Sequence, residues 1–245
     1  MLDQADHSGI DDARSPSREY PDLVLAEVAH LCFHAPATLA LKRRLPQAEL
    51  YATLIERADA AGLAERRAAL VGDLRGRVVE IGCGTGSMFE HYRQVELTAI
   101  EPDGSFAAHA RIAATTAGVP IEVVEGTGEA LPIPDGFADA AVLALVLCSV
   151  PSVEVVCHEV ARIVRPGGVV RLLEHVRSPS RIAGALMDLV NPLWLRVNGQ
   201  GCRLNRDPLP VLERTGLHIE RVEPFQIWSA GLPAFPMRMI YAVRR

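Results

Sequence analysis

Val78-Val79-Glu80-Ile81-Gly82-Cys83-Gly84-Thr85-Gly86 decides how the rest of this chain is read. An apolar run enters three glycines at alternate positions, and Glu101 closes a second apolar run nineteen residues after Gly82. A buried strand ending in such a turn lets backbone approach a ligand where a side chain would collide. An acid at the end of the next strand can accept hydrogen bonds from a ribose. The stretch predicts a strand, a bare turn and a second strand around a ligand that carries an adenosine-type ribose.

Working outward from it, the pattern after Gly76 alternates short apolar runs with helical ones. Strands are expected at 78–82, 97–101, 121–125, 138–145 and 169–175, with helices near 87–92, 103–117 and 153–164. Asp103 is placed to cap its helix, and Pro166-Gly167-Gly168 to stop the helix before the fifth strand. This alternation predicts an α/β, Rossmann-like, mostly parallel sheet covered on both faces. Further on come a helical stretch at 181–197 broken by Asn191-Pro192, a short helix at 207–215, and two strand candidates at 217–224 and 237–243. They complete a seven-stranded sheet with an antiparallel last strand at its edge. Upstream, helical spacing at 22–33 and at 47–71, divided by Gly62, reads as a helical N-terminal cap. Three regions follow: a mobile tail at 1–20, a cap at 21–75 and the sheet domain at 76–245.

The chain has 245 residues, enough for one large α/β domain with a sizeable core and no need of disulfides or structural metal. A formal net charge of −5 and scattered basic residues argue against nucleic acid as a partner, and Lys42-Arg43-Arg44 reads as a solvated helix face. Cys32, Cys83, Cys148, Cys157 and Cys202 form no CxxC pair and no ligand-like spacing with histidine, so no metal is expected. Four of the five lie in apolar or glycine-rich settings, which suits reduced thiols in the cytoplasm. The first twenty residues show no signal-peptide pattern, and the apolar run at 138–150 is too short to span a membrane. No integral membrane segment is expected, and the oligomeric state is silent.

Two cofactors use a glycine turn followed by an acid, NAD and S-adenosylmethionine. The dinucleotide fingerprint places its third glycine where this chain has Ser87. Glu80, two residues before the first glycine, suits the amino-acid end of a methionine moiety and would repel a pyrophosphate. The residues favour S-adenosylmethionine, with an NAD-dependent oxidoreductase and a non-catalytic cofactor binder as the other classes.

At these residues the chain resembles class I S-adenosylmethionine-dependent methyltransferases across 76–245. The resemblance implies a donor site made by Glu80, Gly82, Cys83, Gly84 and Gly86 in the first motif, Glu101 and Pro102 after the second strand, and Leu145 after the fourth. Gly126-Thr127-Gly128-Glu129-Ala130-Leu131-Pro132 looks like the segment bordering the adenine ring, with Gly128 and Glu129 facing the donor. Leu145-Val146-Leu147-Cys148-Ser149-Val150, Glu174-His175-Val176, Gly201-Cys202 and Arg206-Asp207 are similar to the methyltransferase-like protein 7 group. Members of that group methylate small alkyl thiols, and bacterial relatives are often grouped with phospholipid or quinone methyltransferases. The resemblance implies S-methylation of a small, largely apolar molecule, with O-, N- or C-methylation of a metabolite, quinone or lipid headgroup as the alternative.

Methyl transfer from a sulfonium is an in-line displacement, so alignment alone can supply on the order of 7–11 kcal/mol. A thiol acceptor must first become a thiolate, which needs a base or a positive neighbour. His175, at the end of the fifth strand, is the candidate catalytic base or electrostatic helper, with a structural histidine as the other reading. Alternation turns Glu174 to the opposite side. Cys202 can line the acceptor site or pack as a small hydrophobe, and Trp194, Phe225 and Trp228 can wall a pocket or serve as core. No Asn/Asp-Pro-Pro-Tyr follows the fourth strand, which argues against planar amide or adenine nitrogens as acceptors. No Asp and Asn cluster of the kind used for metal-dependent catechol methylation stands out.

Overall fold

The computed structural model describes residues 47–198, 201–226 and 236–245. The tail 1–20, the expected helix at 22–33, Lys42-Arg43-Arg44, Cys32 and Trp228 lie outside the described residues.

Chain order begins with helix α1 (Gln47–Ala58), a π turn at Asp59–Leu63 and helix α2 (Ala64–Val71). Gly62 divides the pair, as its φ of 107° forces a kink that a residue with a β-carbon would resist. Then follow β1 (Arg75–Ile81), β2 (Gln94–Glu101), α3 (Gly104–Ala114), β3 (Ile121–Glu125), β4 (Ala138–Ala144), α4 (Val153–Ile163) and β5 (Val164–His175). The chain ends with α5 (Arg181–Asn198), α6 (Leu209–Arg214), β6 (Leu217–Gln226) and β7 (Pro236–Arg244).

The seven strands form one sheet in the order β3-β2-β1-β4-β5-β7-β6. β1 to β5 are parallel, and β7 runs antiparallel to both β5 and β6. The antiparallel strand therefore lies one place inside the sheet, and β6 takes the edge that the sequence assigns to it. From β1 the chain winds outward through β2 and β3, then returns to place β4 on the other side. That reversal opens a crevice beyond the carboxyl ends of β1 and β4, the position where doubly wound sheets bind ligands.

Side-chain alternation builds two cores from single strands. Val78 packs with Leu70, Phe89 and Tyr92 on one face, while its neighbour Val79 packs with Val156, Val160 and Leu172 on the other. Asp103 caps α3, accepting from the amides of Ser105 (2.8 Å) and Phe106 (3.2 Å).

Three local expectations differ from what is found. The helix expected at 87–92 shrinks to one 3-10 turn at Phe89–His91, because Tyr92 must reach back to Glu80 before β2 begins at Gln94. Pro192 does not break α5; Asn191, beside it, accepts from the Leu204 amide at 2.9 Å, and this tertiary anchor offsets the lost helical bond. Pro166-Gly167-Gly168 lies within β5 as an irregularity, with pairing present at Val164 and resumed at Val169.

Candidate active site

Gly82, Gly84 and Gly86 all adopt left-handed backbone, with φ of 68°, 58° and 86°. Their surroundings separate them. A β-carbon on Gly82 would stand 2.8 Å from Val146 Cγ2, and one on Gly86 2.8 Å from Phe89 Cε2. These two glycines are required by packing. A β-carbon on Gly84 meets nothing closer than Tyr51 Cε1 of α1, at 3.4 Å. Gly84 is bare toward space rather than toward core, with Tyr51 and Phe106 beside it, their rings 5.4 Å apart. Cys83, within the same turn, is buried, and burial pushes its thiol up.

Glu101 is buried, and its two oxygens accept from the amides of Gly84 (2.8 Å) and Asp103 (3.1 Å). One carboxylate thus ties the glycine loop to the start of α3 and still has lone pairs for a further donor. Pro102, next to it, is exposed at the rim. Gly126 N–H donates to the Glu101 carbonyl at 3.2 Å, bringing the 126–132 turn alongside. Gly128 there is held by packing, since a β-carbon would lie 3.2 Å from Val156 and 3.3 Å from Ile81. Glu129 keeps Oε1 buried without a hydrogen-bond partner.

Beneath the loop, Glu80 is fully buried and accepts from the Tyr92 hydroxyl at 3.0 Å. Burial pushes its carboxyl up to about 8, although the Tyr92 hydrogen bond and Arg67 pull the other way. Arg67 on α2 is equally buried; its Nε lies 3.4 Å from Asp59 Oδ1 without hydrogen-bond alignment, and its Nη1 has no hydrogen-bond partner. Sequence reading missed Arg67 because an arginine in an amphipathic helix looks like a surface residue.

On the β4 side, Leu145 has a φ of 63°, the sole positive value outside glycine among the described residues. Such a backbone costs on the order of 1–3 kcal/mol and persists only where its surroundings impose it. Here Leu145 N–H donates to the Leu173 carbonyl at 2.7 Å, and buried Glu174 accepts from the amides of Val146 (2.9 Å) and Leu147 (2.8 Å). From outside, Arg206 donates to the carbonyls of Leu147 and Val150, each at 2.6 Å, and the Arg203 amide to the Cys148 carbonyl at 2.8 Å. Residues 145–150 are clamped by their amides on one side and their carbonyls on the other.

The clamp fixes Cys148 beside His175 and Cys202. His175 Nε2 lies 2.7 Å from Cys202 Sγ, and the ligating atoms of all three residues lie within 4.8 Å of one another. A hydrogen bond from Cys148 holds the Cys202 thiol below its usual range, with burial opposing and the Trp194 indole helping. Burial pushes the Tyr51 hydroxyl of α1 up, with Arg67 opposing and Cys148, Glu101 and Cys202 adding to the rise. The sequence reading placed His175 and Cys202 singly and gave Cys148 no role; spacing along the chain hides a group assembled from three segments. Phe225 belongs to the core, under the Arg66 guanidinium (5.2 Å).

Comparisons with known proteins show what the chain and its fold are similar to. A family model described as a methyltransferase domain matches residues 79–172. The human thiol S-methyltransferase TMT1B is 34% identical over 175 residues, 68% of this chain and 70% of that protein. Human thiol S-methyltransferase TMT1A is 31% identical, over 64% and 67%. Among solved structures, an S-adenosylmethionine-dependent methyltransferase of Thermotoga maritima superposes with a TM-score of 0.59 at 23% identity, covering 80% of this chain and 95% of that one. No helix among the described residues is long and apolar enough to cross a membrane.

Proposed function

This chain belongs to the thiol S-methyltransferase family, and on that footing we propose that it methylates the sulfur of a small, largely apolar thiol. It is an S-adenosylmethionine-dependent methyltransferase. The observation that carries the thiol reading is the lining beyond β4 and β5, where two sulfurs and an imidazole converge and the neighbouring carboxylate, Glu174, is turned under the loop. Soft, polarizable groups suit an apolar sulfur nucleophile better than an amine or a phenol.

The residues present fit the donor. Buried Glu80 and the Arg67 guanidinium, whose Nη1 has no hydrogen-bond partner, would supply one carboxyl and one cation for the zwitterionic methionine end. Glu101 has spare lone pairs for the ribose, and Glu129 a buried oxygen without a hydrogen-bond partner beside the adenine side. Gly82, Cys83, Gly84, Gly86, Pro102, Gly128 and Leu145 complete the set of residues we assign to holding the donor. When bound, S-adenosylmethionine supplies an electrophilic sulfonium methyl. The protein's task is to hold the acceptor sulfur in line and ionised, and His175 is the group we assign to assisting that ionisation. We place the reaction in the cytoplasm, supported by the free thiols Cys83, Cys148, Cys157 and Cys202.

The test is release of S-adenosylhomocysteine across a panel of small thiols, phenols and amines. Thiols are expected to lead in kcat/KM by at least about tenfold, roughly 1.4 kcal/mol. A phenol or an amine turned over faster than every thiol overturns the assignment.

A further inference from the structure

We propose that Cys148, His175 and Cys202 form a three-ligand site for one zinc-class metal ion, with its fourth position open to the acceptor sulfur. The second half of this statement rests on the thiol reading above; the first does not. Among the described residues this is the one group of three side chains whose ligating atoms, two Sγ and one imidazole nitrogen, gather within 4.8 Å. Zinc bound by cysteine and histidine at about 2.3 Å and 2.0–2.1 Å in a tetrahedron separates its ligand atoms by roughly 3.5–3.8 Å. The contact of His175 Nε2 with Cys202 Sγ, at 2.7 Å, has to open by about 0.8 Å, and the widest separation has to close by about 1 Å. Both are side-chain adjustments.

The backbones that carry the ligands are held in advance. Cys148 sits in the clamped loop under Glu174, Arg203 and Arg206. His175 pairs with Met237 in the β5–β7 ladder, and the Cys202 carbonyl accepts from Asn198 Nδ2 at 2.9 Å. The donor set is soft to borderline, which selects zinc-like ions over magnesium or calcium. Two cysteines and one histidine are three ligands, and three protein ligands with an open fourth position are the pattern of catalytic rather than structural zinc. Cys148 and His175 are buried while Cys202 is partly exposed, so the cluster opens on the Cys202 side.

In the step this implies, the acceptor S–H ionises on the metal and its proton passes to water. The sulfur then forms a bond to the methyl carbon as the sulfonium carbon–sulfur bond breaks, leaving a thioether and S-adenosylhomocysteine. No electrons are exchanged with an outside reagent. His175 would act as a ligand, which gives its assisting role a definite form.

The experiment titrates the metal-stripped full chain with cobalt(II) under anaerobic conditions, without donor or acceptor. The expected result is one equivalent bound, with an intense thiolate-to-cobalt charge-transfer band and the visible bands of a tetrahedral ion. Cys148→Ser and Cys202→Ser should each lose most of the charge-transfer intensity. Their fold is checked by thermal melting and by calorimetry with S-adenosylmethionine. Absence of the band in the wild-type chain overturns the site, as does an undiminished band in both variants. The signal needs no turnover, so it stands even if no thiol is methylated. A metal-free enzyme with undiminished thiol kcat/KM overturns the open fourth position and leaves the thiol assignment intact.

Discussion

The two halves of the crevice are made of different material. On the β1–β2 side the surface proposed for the donor is main chain: left-handed glycines, with one of their amides tied to Glu101. On the β4–β5 side it is side chain: sulfur, imidazole and the charged groups that brace them. Main chain is the same whatever the residue, so it suits a ligand that is common to many reactions. Side chains set chemistry, so acceptor choice falls on them. The donor half should therefore fail when any side chain is added, and the acceptor half when a particular one is removed.

Glu80, the buried acid of the donor half, gives the largest expected effect. Its carboxyl holds its proton up to about pH 8 in the folded chain and ionises at its ordinary value when unfolded. Between roughly pH 5 and 8 the native state carries one more proton than the unfolded one, so stability falls as pH rises through that window. Relative to Glu80→Gln, the donor-free wild type should lose on the order of 4 kcal/mol across it. Urea unfolding at several pH values measures this, and parallel curves for the two proteins would break the reading. Next comes Gly84→Val, expected to weaken S-adenosylmethionine more than about 100-fold, close to 3 kcal/mol. Its cost in stability should stay near the 1–2 kcal/mol of a left-handed backbone. Gly86→Val, which adds a clash with Phe89, should lower the melting temperature further. Equal melting losses in the two variants would erase the distinction between a bare glycine and a packed one.

Glu174→Ala sharpens the contrast from the other side. Stripping the acceptor from the Val146 and Leu147 amides should cost about 2 kcal/mol and lower thiol turnover, while donor affinity measured by calorimetry changes by less than about threefold. Donor affinity falling as far as turnover would mean that the two halves are one unit. The smallest effect belongs to Asp103→Ala. Loss of the cap on α3 should remove about 1 kcal/mol of stability in urea unfolding and leave the choice of acceptor unchanged.

The glycine turn and its two acids were legible because their information is local. Alternate glycines, the acid two residues before them and the acid closing the next strand all fall within 80–101. The strand cores could be read for the same reason, and β3 has the bounds its pattern predicts. Where tertiary contacts compete with local preference, the reading slipped. Asn191 anchors α5 through its proline, and Tyr92 cuts short the helix expected after the glycine loop.

By itself, the sequence determined the Rossmann-like sheet, the glycine turn after β1 and the kind of cofactor, since each depends on backbone preference and burial over a few consecutive residues. Only the tertiary structure decided the meeting of Cys148, His175 and Cys202, and the burial of Arg67 near Glu80. Pairing of Ala144 with Leu173 sets the ends of β4 and β5 side by side, and the loop carrying Cys202 closes over both. Residues 27 apart meet there through sheet register and loop docking, which no local periodicity records.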